Sequence, residues 1–111
     1  DIVLTNTFGG NSYRLKLHDA QDRVTEFNRA AAQILVKEIA ASGRDVVVAG
    51  PMGPTGEIFA PAGPMTIAEG AIAFAEPAIT IKAGVADLPW IEILSSHYVS
   101  PPSLQGTTLR A

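Results

Sequence analysis

The residues best suited to chemistry lie at the ends of predicted buried strands. Glu92 follows Trp90 and Ile91 in the apolar run "ADLPWIEIL", where a carboxylate needs a cationic partner or ligand to offset its desolvation. One interpretation is that Glu92 holds the ammonium group of a small substrate. The other is that it is an exposed acid, or is paired with a neighbouring Arg or Lys. The pattern alone leaves both open.

A second polar group follows the first predicted strand, "DIVLT". Thr5, Asn6 and Thr7 bring hydroxyl and amide groups to the end of that strand, where they could orient a small polar substrate. Asn6 and Thr7 could instead cap the turn or helix that follows, which is the more ordinary use of these residue types.

The loop "AGPMGPTGEIF" follows the second predicted strand, with Gly50, Gly53 and Gly56 at intervals of three. A collagen helix needs this repeat over many triplets, and only two are present. No Lys follows the glycines as a P-loop requires, and Pro51 and Pro54 lack the N–H groups that bind an anion. The loop is therefore predicted to be a tight connection from strand to helix.

Other reactive side chains are sparse. The chain has no cysteine, which excludes a disulfide framework and a thiolate metal site within these residues. His18 and His97 are far apart and belong to no metal-ligating motif. Ser95-Ser96-His97 lacks the strand-turn-helix setting of a nucleophile elbow. No catalytic residue and no metal ligand is therefore assigned.

The elements that position these residues alternate between strand and helix. Apolar runs at 2–5, 45–50 and 86–94 predict strands buried on both faces. Two helical patterns, at about 19–43 and 66–84, separate them. The order β-α-β-α-β predicts an α/β fold with a parallel sheet, either doubly wound or an eight-stranded barrel. Three strands cannot close a barrel, so a barrel would mean a fragment.

The first long helix is predicted to begin with Asp19 as its N-cap and to end at Gly43. Its apolar stripe is predicted at helical spacing, comprising Val24, Phe27, Ala31, Ile34 and Leu35.

The second long helix is predicted to begin with a capping box, Thr66 to Glu69, and to end at Gly84. Its predicted stripe consists of Ile67, Ala71, Phe74, Ala78 and Ile81. Two prolines oppose the pattern. Pro77 lies inside this helix, at a cost of roughly 3 kcal/mol relative to alanine, and Pro89 lies inside the third strand, where it cannot donate to the ladder.

Composition limits the class of protein. The 111 residues are enough for one small domain, and 47% of them are hydrophobic, which argues against disorder. A net charge of -3 without a basic run argues against nucleic-acid partners. No apolar run could span a bilayer and no secretory signal opens the chain, so we expect a cytoplasmic protein without a membrane partner.

Three motifs occur in order: "DIVLTNTFGGNSYRLKLH", "AGPMGPTGE" and "WIE". Together they resemble the homocysteine S-methyltransferase family, over roughly residues 1–94. The resemblance implies an incomplete (β/α)8 TIM barrel, in which residues 1–94 form a partial homocysteine-binding domain with about the second to fourth strands. Residues 95–111 depart from it and are expected to be an irregular, divergent tail that could result from a frameshift. Pro51 stands where the family more usually has a small polar residue.

The resemblance also implies a function. Family members transfer a methyl group to the thiol of homocysteine and form methionine. The donor is betaine, a methylated cobalamin or S-methylmethionine. A zinc ion held by three cysteines of later strands binds the sulfur, and this chain contains none of those ligands. Glu92 matches the glutamate that binds the homocysteine amino group. Thr5, Asn6 and Thr7 match a strand-end segment near the substrate.

The implied protein is thus a fragment of an enzyme that is inactive as an isolated chain. The alternative is a small non-enzymatic α/β module that binds or interacts with a partner.

Overall fold

A computed structural model of the chain describes residues 1–85, 90–95 and 108–110. The strands are β1 (Ile2–Leu4), β2 (Val47–Met52), β3 (Trp90–Ser95) and β4 (Thr108–Arg110). The α-helices are α1 (Ser12–Leu15), α2 (Val24–Ser42) and α3 (Ile67–Gly84), and two 3-10 turns lie at Lys16–His18 and Gln21–Arg23.

The four strands form one sheet in the order β1-β2-β3-β4. β1, β2 and β3 are parallel, and β4 pairs antiparallel with β3. The predicted mixed α/β fold with parallel strands joined by helices is therefore confirmed. β4 lies in the segment 95–111, for which no element was predicted. Pro89, whose missing N–H argued against the third predicted strand, lies outside the described residues.

The helices cover one face of the sheet. Side chains of a strand alternate between its two faces, and Val48 and Met52 pack in the core with Phe74 and Ile81 of α3. Ala32 of α2 and Ala78 and Val85 complete the buried cluster, and Leu35, Val36 and Ile39 pack against it. The core therefore lies between β2 and the pair α2–α3.

The start of α2 differs from the prediction. Asp19 has a φ of 53° and ends the 3-10 turn at Lys16–His18, where its N–H donates to the Lys16 carbonyl oxygen at 3.2 Å. The helix begins only at Val24, after a second 3-10 turn. The prediction that Asp19 caps α2 is wrong because this residue closes the preceding turn instead. Gly43, with a φ of 63°, ends α2 as predicted.

The buried side of α2 is also rotated from the predicted stripe. Val24 and Ala32 are buried as part of that side, but so is the polar Asn28, whereas Ile34 is 62% exposed. The prediction that Ile34 belongs to the buried stripe was therefore wrong. The stripe was drawn through apolar residues only, whereas the buried side of the helix includes the polar Asn28.

The capping box of α3 is confirmed. The Thr66 hydroxyl accepts from the Glu69 N–H at 3.2 Å, and the Glu69 carboxylate accepts from the Thr66 N–H at 2.7 Å. Pro77 is buried within the helix, which continues through it to Gly84. Among the described residues, no helix is long and apolar enough to cross a membrane.

Candidate functional site

The carboxyl ends of β1, β2 and β3 meet at one edge of the sheet because the three strands are parallel. Leu4 pairs with Ala49, and Ala49 pairs with Glu92, so these residues form one row across the sheet. Two strand spacings place the Cα atom of Glu92 about 10 Å from that of Leu4. The row puts the backbone of Glu92 level with the last residue of β1, directly before Thr5, and β2 and β3 continue beyond the row to Met52 and Ser95. The side chain of Glu92 lies outside what the structure describes.

Thr5 and Thr7 are only 4% and 3% exposed. The Thr7 hydroxyl donates to the Pro51 carbonyl oxygen at 2.9 Å, and the hydroxyl oxygens of Thr5 and Thr7 are 2.7 Å apart. A hydroxyl has one proton, so Thr5 is the donor and Thr7 the acceptor in the second bond. We call these two residues the threonine clamp, because they fasten the end of β1 to the end of β2.

Asn6 lies between the two threonines and is exposed to solvent. The next helix, α1, has a different cap, since the Asn11 side chain accepts from the Arg14 N–H at 3.0 Å. Of the three residues Thr5 to Thr7, only Asn6 is exposed, so its side-chain amide is the polar group of this segment that a ligand can reach.

Asn11 is a positioning residue that the sequence reasoning missed. It is 3% exposed, and its amide nitrogen lies 3.4 Å from the carbonyl oxygens of both Gly53 and Pro54. The Gly53 N–H in turn donates to the Phe8 carbonyl oxygen at 2.7 Å. The loops after β1 and β2 therefore hold each other in place. The available signal was an Asn directly before "SYRL", an ordinary N-cap position.

Asn28 is a second residue that the reasoning missed. It is 1% exposed, and its amide nitrogen donates to the carbonyl oxygens of Gly10 at 2.6 Å and Val24 at 2.8 Å. This fixes the loop after β1 to helix α2. No sequence pattern pointed to it, because a polar residue in a helix is exposed far more often than buried.

The glycines of the loop after β2 allow close backbone approach. A Cβ atom on Gly53 would collide with the Phe8 carbonyl oxygen, and one on Gly50 would lie 2.8 Å from the Ile81 side chain. The predicted tight connection thus needs Gly53 for contact between the two loops and Gly50 for the packing of α3 on β2.

Pro51 lies inside β2, one residue before its end. In the ladder between β1 and β2, the Val47 N–H donates to the Asp1 carbonyl oxygen. The equivalent bond four residues later would need a Pro51 N–H that donates to the Thr5 carbonyl oxygen. Proline has no such donor, and the pairing of β1 with β2 stops at Leu4 and Ala49. The threonine clamp replaces the ladder at the position where Pro51 ends it.

The carboxylates with shifted pKa values lie in the first turns of α2 and α3 and are not among the residues Thr5 to Thr7. The hydrogen bond from Arg23 lowers the pKa of Glu26. The backbone N–H and then the hydroxyl of Thr66 lower the pKa of Glu69. Both shifts therefore reflect hydrogen bonds within the first turn of a helix.

A groove of about 500 Å³ lies between α1 and α3, and its lining includes Tyr13, Lys16 and Glu57 but none of the three residues Thr5 to Thr7. The described residues contain no group of three His, Cys, Asp or Glu side chains that could hold a metal ion. The sequence also has no cysteine. The residues that the structure describes therefore do not provide a site for a zinc ion.

The family model for homocysteine S-methyltransferase matches residues 1–98 of the chain. No curated protein matches the sequence significantly.

Proposed function

Since the chain belongs to the homocysteine S-methyltransferase family, we propose that it forms part of an enzyme that methylates the thiol of homocysteine to give methionine. The part assigned to these residues is to bind the amino-acid end of homocysteine. The observation that supports this most directly is the row Leu4–Ala49–Glu92, in which the backbone of Glu92 is level with Leu4, the residue before Thr5.

Glu92 is proposed to bind the ammonium group of homocysteine. A carboxylate and an ammonium group form a charge-assisted hydrogen bond, which is about twice as strong as a neutral one. Asn6 is proposed to contribute its exposed amide. Thr5 and Thr7 are proposed to keep this edge rigid, because their hydroxyl protons are already used within the threonine clamp. A rigid edge loses less entropy when a substrate binds.

We further infer that β1, β2 and β3 are consecutive strands of a (β/α)8 barrel, about the second to the fourth. α2 and α3 cover one face of the sheet, as the outer helices of a barrel do. On the other face Ile2 and Leu4 are 67% and 56% exposed, as expected of a face that further strands would enclose. In such a barrel the next parallel strand would take the edge of β3 that β4 occupies.

The sulfur end of the substrate has no assigned partner in this chain. The family's zinc would bind and deprotonate the thiol, but these residues do not fit that ion. The proposal for this chain therefore concerns only recognition of the amino-acid end, and it leaves the identity of the methyl donor open.

The experiment is a titration of the ¹⁵N-labelled chain with L-homocysteine, observed by NMR. We expect shifts confined to residues near Asn6, Ala49 and Glu92, with a dissociation constant of roughly 1 mM, a value that corresponds to about -4 kcal/mol. The matched ligand control is 4-sulfanylbutanoate, which lacks only the amino group and should bind at least about tenfold more weakly.

The matched protein controls are Glu92→Gln and Glu57→Gln. Glu92→Gln should remove the preference for the amino compound, and Glu57→Gln, in the loop after β2, should keep it. Equal binding of the two ligands, or no shift at this edge at about 10 mM homocysteine, would refute the proposed role.

A further inference from the structure

The carboxamide of Asn28 lies buried in α2 and faces the loop after β1. Its nitrogen donates to the Gly10 carbonyl oxygen at 2.6 Å and to the Val24 carbonyl oxygen at 2.8 Å. Two carbonyl oxygens can be satisfied only by a donor, so these partners fix which end of the carboxamide is the NH2 group. Val24 begins α2, and its carbonyl oxygen also accepts the Asn28 backbone N–H in the ordinary helical pattern. The bond by which Asn28 reaches beyond its own helix is therefore the bond to Gly10.

The other end of the carboxamide also lies against Gly10. The Asn28 Oδ1 atom is buried, and among the described residues no donor forms a hydrogen bond with it. A buried acceptor without a partner is costly, so this end is not explained by hydrogen bonding. It packs where a Cβ atom on Gly10 would collide with it. Both ends of the carboxamide thus hold the same residue, one by a hydrogen bond and the other by contact.

Two further hydrogen bonds connect Gly10 to the threonine clamp. The Gly10 N–H donates to the Thr7 carbonyl oxygen at 2.8 Å and closes a four-residue turn. The Thr7 hydroxyl donates to the Pro51 carbonyl oxygen at 2.9 Å. This series of bonds links helix α2 to Thr7, the residue directly after Asn6.

We propose that Asn28 is a positioning residue, which fixes the orientation of Asn6 through this series of bonds. The proposal rests on the proposed function, in which Asn6 contributes its exposed amide to the binding of homocysteine. Asn28 itself is only 1% exposed and would not touch the substrate. A binding segment that is already held in one orientation loses less entropy when a ligand binds. The bond from Asn28 to Gly10 should therefore raise the affinity for homocysteine.

Asn28→Leu keeps the branched shape of the side chain but cannot donate to Gly10. We expect it to weaken the binding of L-homocysteine at least about fivefold, the lower end of a typical coupling between distant sites. The NMR titration of the ¹⁵N-labelled chain would measure the affinity, and circular dichroism would verify that the variant is folded.

The matched control is Ala32→Gly, one turn later in α2. Ala32 is buried, and its side chain lies beside Gly84 of α3 and not beside the loop after β1. Glycine in a helix interior is destabilising, so this variant should lower the stability of α2 and leave the affinity unchanged. The comparison separates lost stability from lost positioning.

The unmodified chain offers a readout that needs no variant. Because Asn28 would not touch the ligand, its side-chain NH2 resonances should move on addition of L-homocysteine only if they are coupled to the binding segment. Gln33 is exposed on the same helix, and its NH2 resonances should not move. A response of Asn28 without a response of Gln33 supports the proposal even if Asn28→Leu does not fold, and the absence of a response of Asn28 to bound homocysteine overturns it.

Failure of this proposal can be distinguished from failure of the proposed function. If homocysteine binds and Asn28→Leu keeps the affinity, or if Ala32→Gly loses as much, the positioning role is overturned and the proposed function stands. If homocysteine does not bind, the proposed function fails and the free chain decides on Asn28. Asn28→Leu should then still move the backbone amide resonance of Asn6 more than Ala32→Gly does, and equal shifts would overturn the role.

Discussion

The hydroxyl of Thr7 donates a hydrogen bond of 2.9 Å to the carbonyl oxygen of Pro51, which is 44 residues further along the chain. This bond and the neighbouring bond from Thr5 connect the ends of β1 and β2 where proline interrupts their ladder. The relationship between these two residues determines the shape of the edge at which a substrate is proposed to bind.

Thr7→Val keeps the side-chain shape but removes the hydroxyl, and so leaves the Pro51 carbonyl oxygen without this donor. We expect the free energy of unfolding to fall by about 1–3 kcal/mol, the usual cost of an unpaired buried polar group. Urea denaturation would measure the change. Thr25→Val removes an exposed hydrogen bond to Glu76 and should change stability by less than about 0.5 kcal/mol. Equal effects of the two variants would show that the clamp does not stabilise the fold.

Gly10 and Asn28 should be energetically coupled. A Cβ atom on Gly10 would collide with the Asn28 side chain, so Gly10→Ala should destabilise the chain by about 1–3 kcal/mol. Asn28→Ala should cost a similar amount by removing the hydrogen bond to Gly10. The double variant should be less destabilised than the sum, because the new methyl group enters the space that Asn28 leaves.

The control for this cycle is Gly9→Ala, since a Cβ atom on Gly9 meets nothing within 4 Å. Additive effects of Gly10→Ala and Asn28→Ala in urea denaturation would contradict the coupling.

The capping box makes the stability of α3 depend on pH. The pKa of Glu69 is lowered in the folded chain, first by the Thr66 N–H and then by the Thr66 hydroxyl. A lowered folded pKa means that the stabilisation is present above the unfolded pKa of about 4.3 and is lost as the pH falls through the folded value. Glu69→Gln should therefore make acid unfolding less steep than in the unmodified chain. Glu38→Gln, in α2, is the control. An identical effect of both variants on acid unfolding would show that the capping box is not the cause of the pH dependence.

Pro77 should destabilise α3, so replacing it should make the chain more stable. The helix lacks one backbone donor there, and alanine is about 3 kcal/mol more favourable than proline in a helix interior. Because Pro77 is buried, lost packing should offset part of this gain, leaving Pro77→Ala about 1–3 kcal/mol more stable. Pro64→Ala, in the exposed loop before α3, should not raise the stability. A lower melting temperature for Pro77→Ala would show that packing outweighs the missing hydrogen bond.

The 111-residue chain alone should not transfer methyl groups to homocysteine. Its sequence has no cysteine to bind zinc, so the substrate thiol would stay mostly protonated at neutral pH, given a pKa of about 8.5. Methionine formation with betaine, methylcobalamin or S-methylmethionine would be measured by chromatography, with and without added zinc. Zinc-dependent methionine from the purified chain would contradict this expectation.

Features encoded locally could be predicted from the sequence. The alternation of strand and helix, the capping box at Thr66 and Glu69, and the helix end at Gly43 each follow from short-range periodicity or from the preference of one residue for one conformation. The position of Glu92 on a strand parallel to the one before Thr5 also followed from that alternation. The structure confirms this placement, whereas the binding role of Glu92 stays a prediction.

Features that depend on distant contacts were decided only by the tertiary structure. Asn28 is buried because the Gly10 carbonyl oxygen lies beside it, and Asp19 ends a turn instead of starting a helix. The pairing of Thr7 with Pro51 required the register of two strands to be known. Sequence patterns report the preferences of a residue and its near neighbours. Whether a polar side chain is turned inward depends on a partner that folding brings to it from elsewhere in the chain.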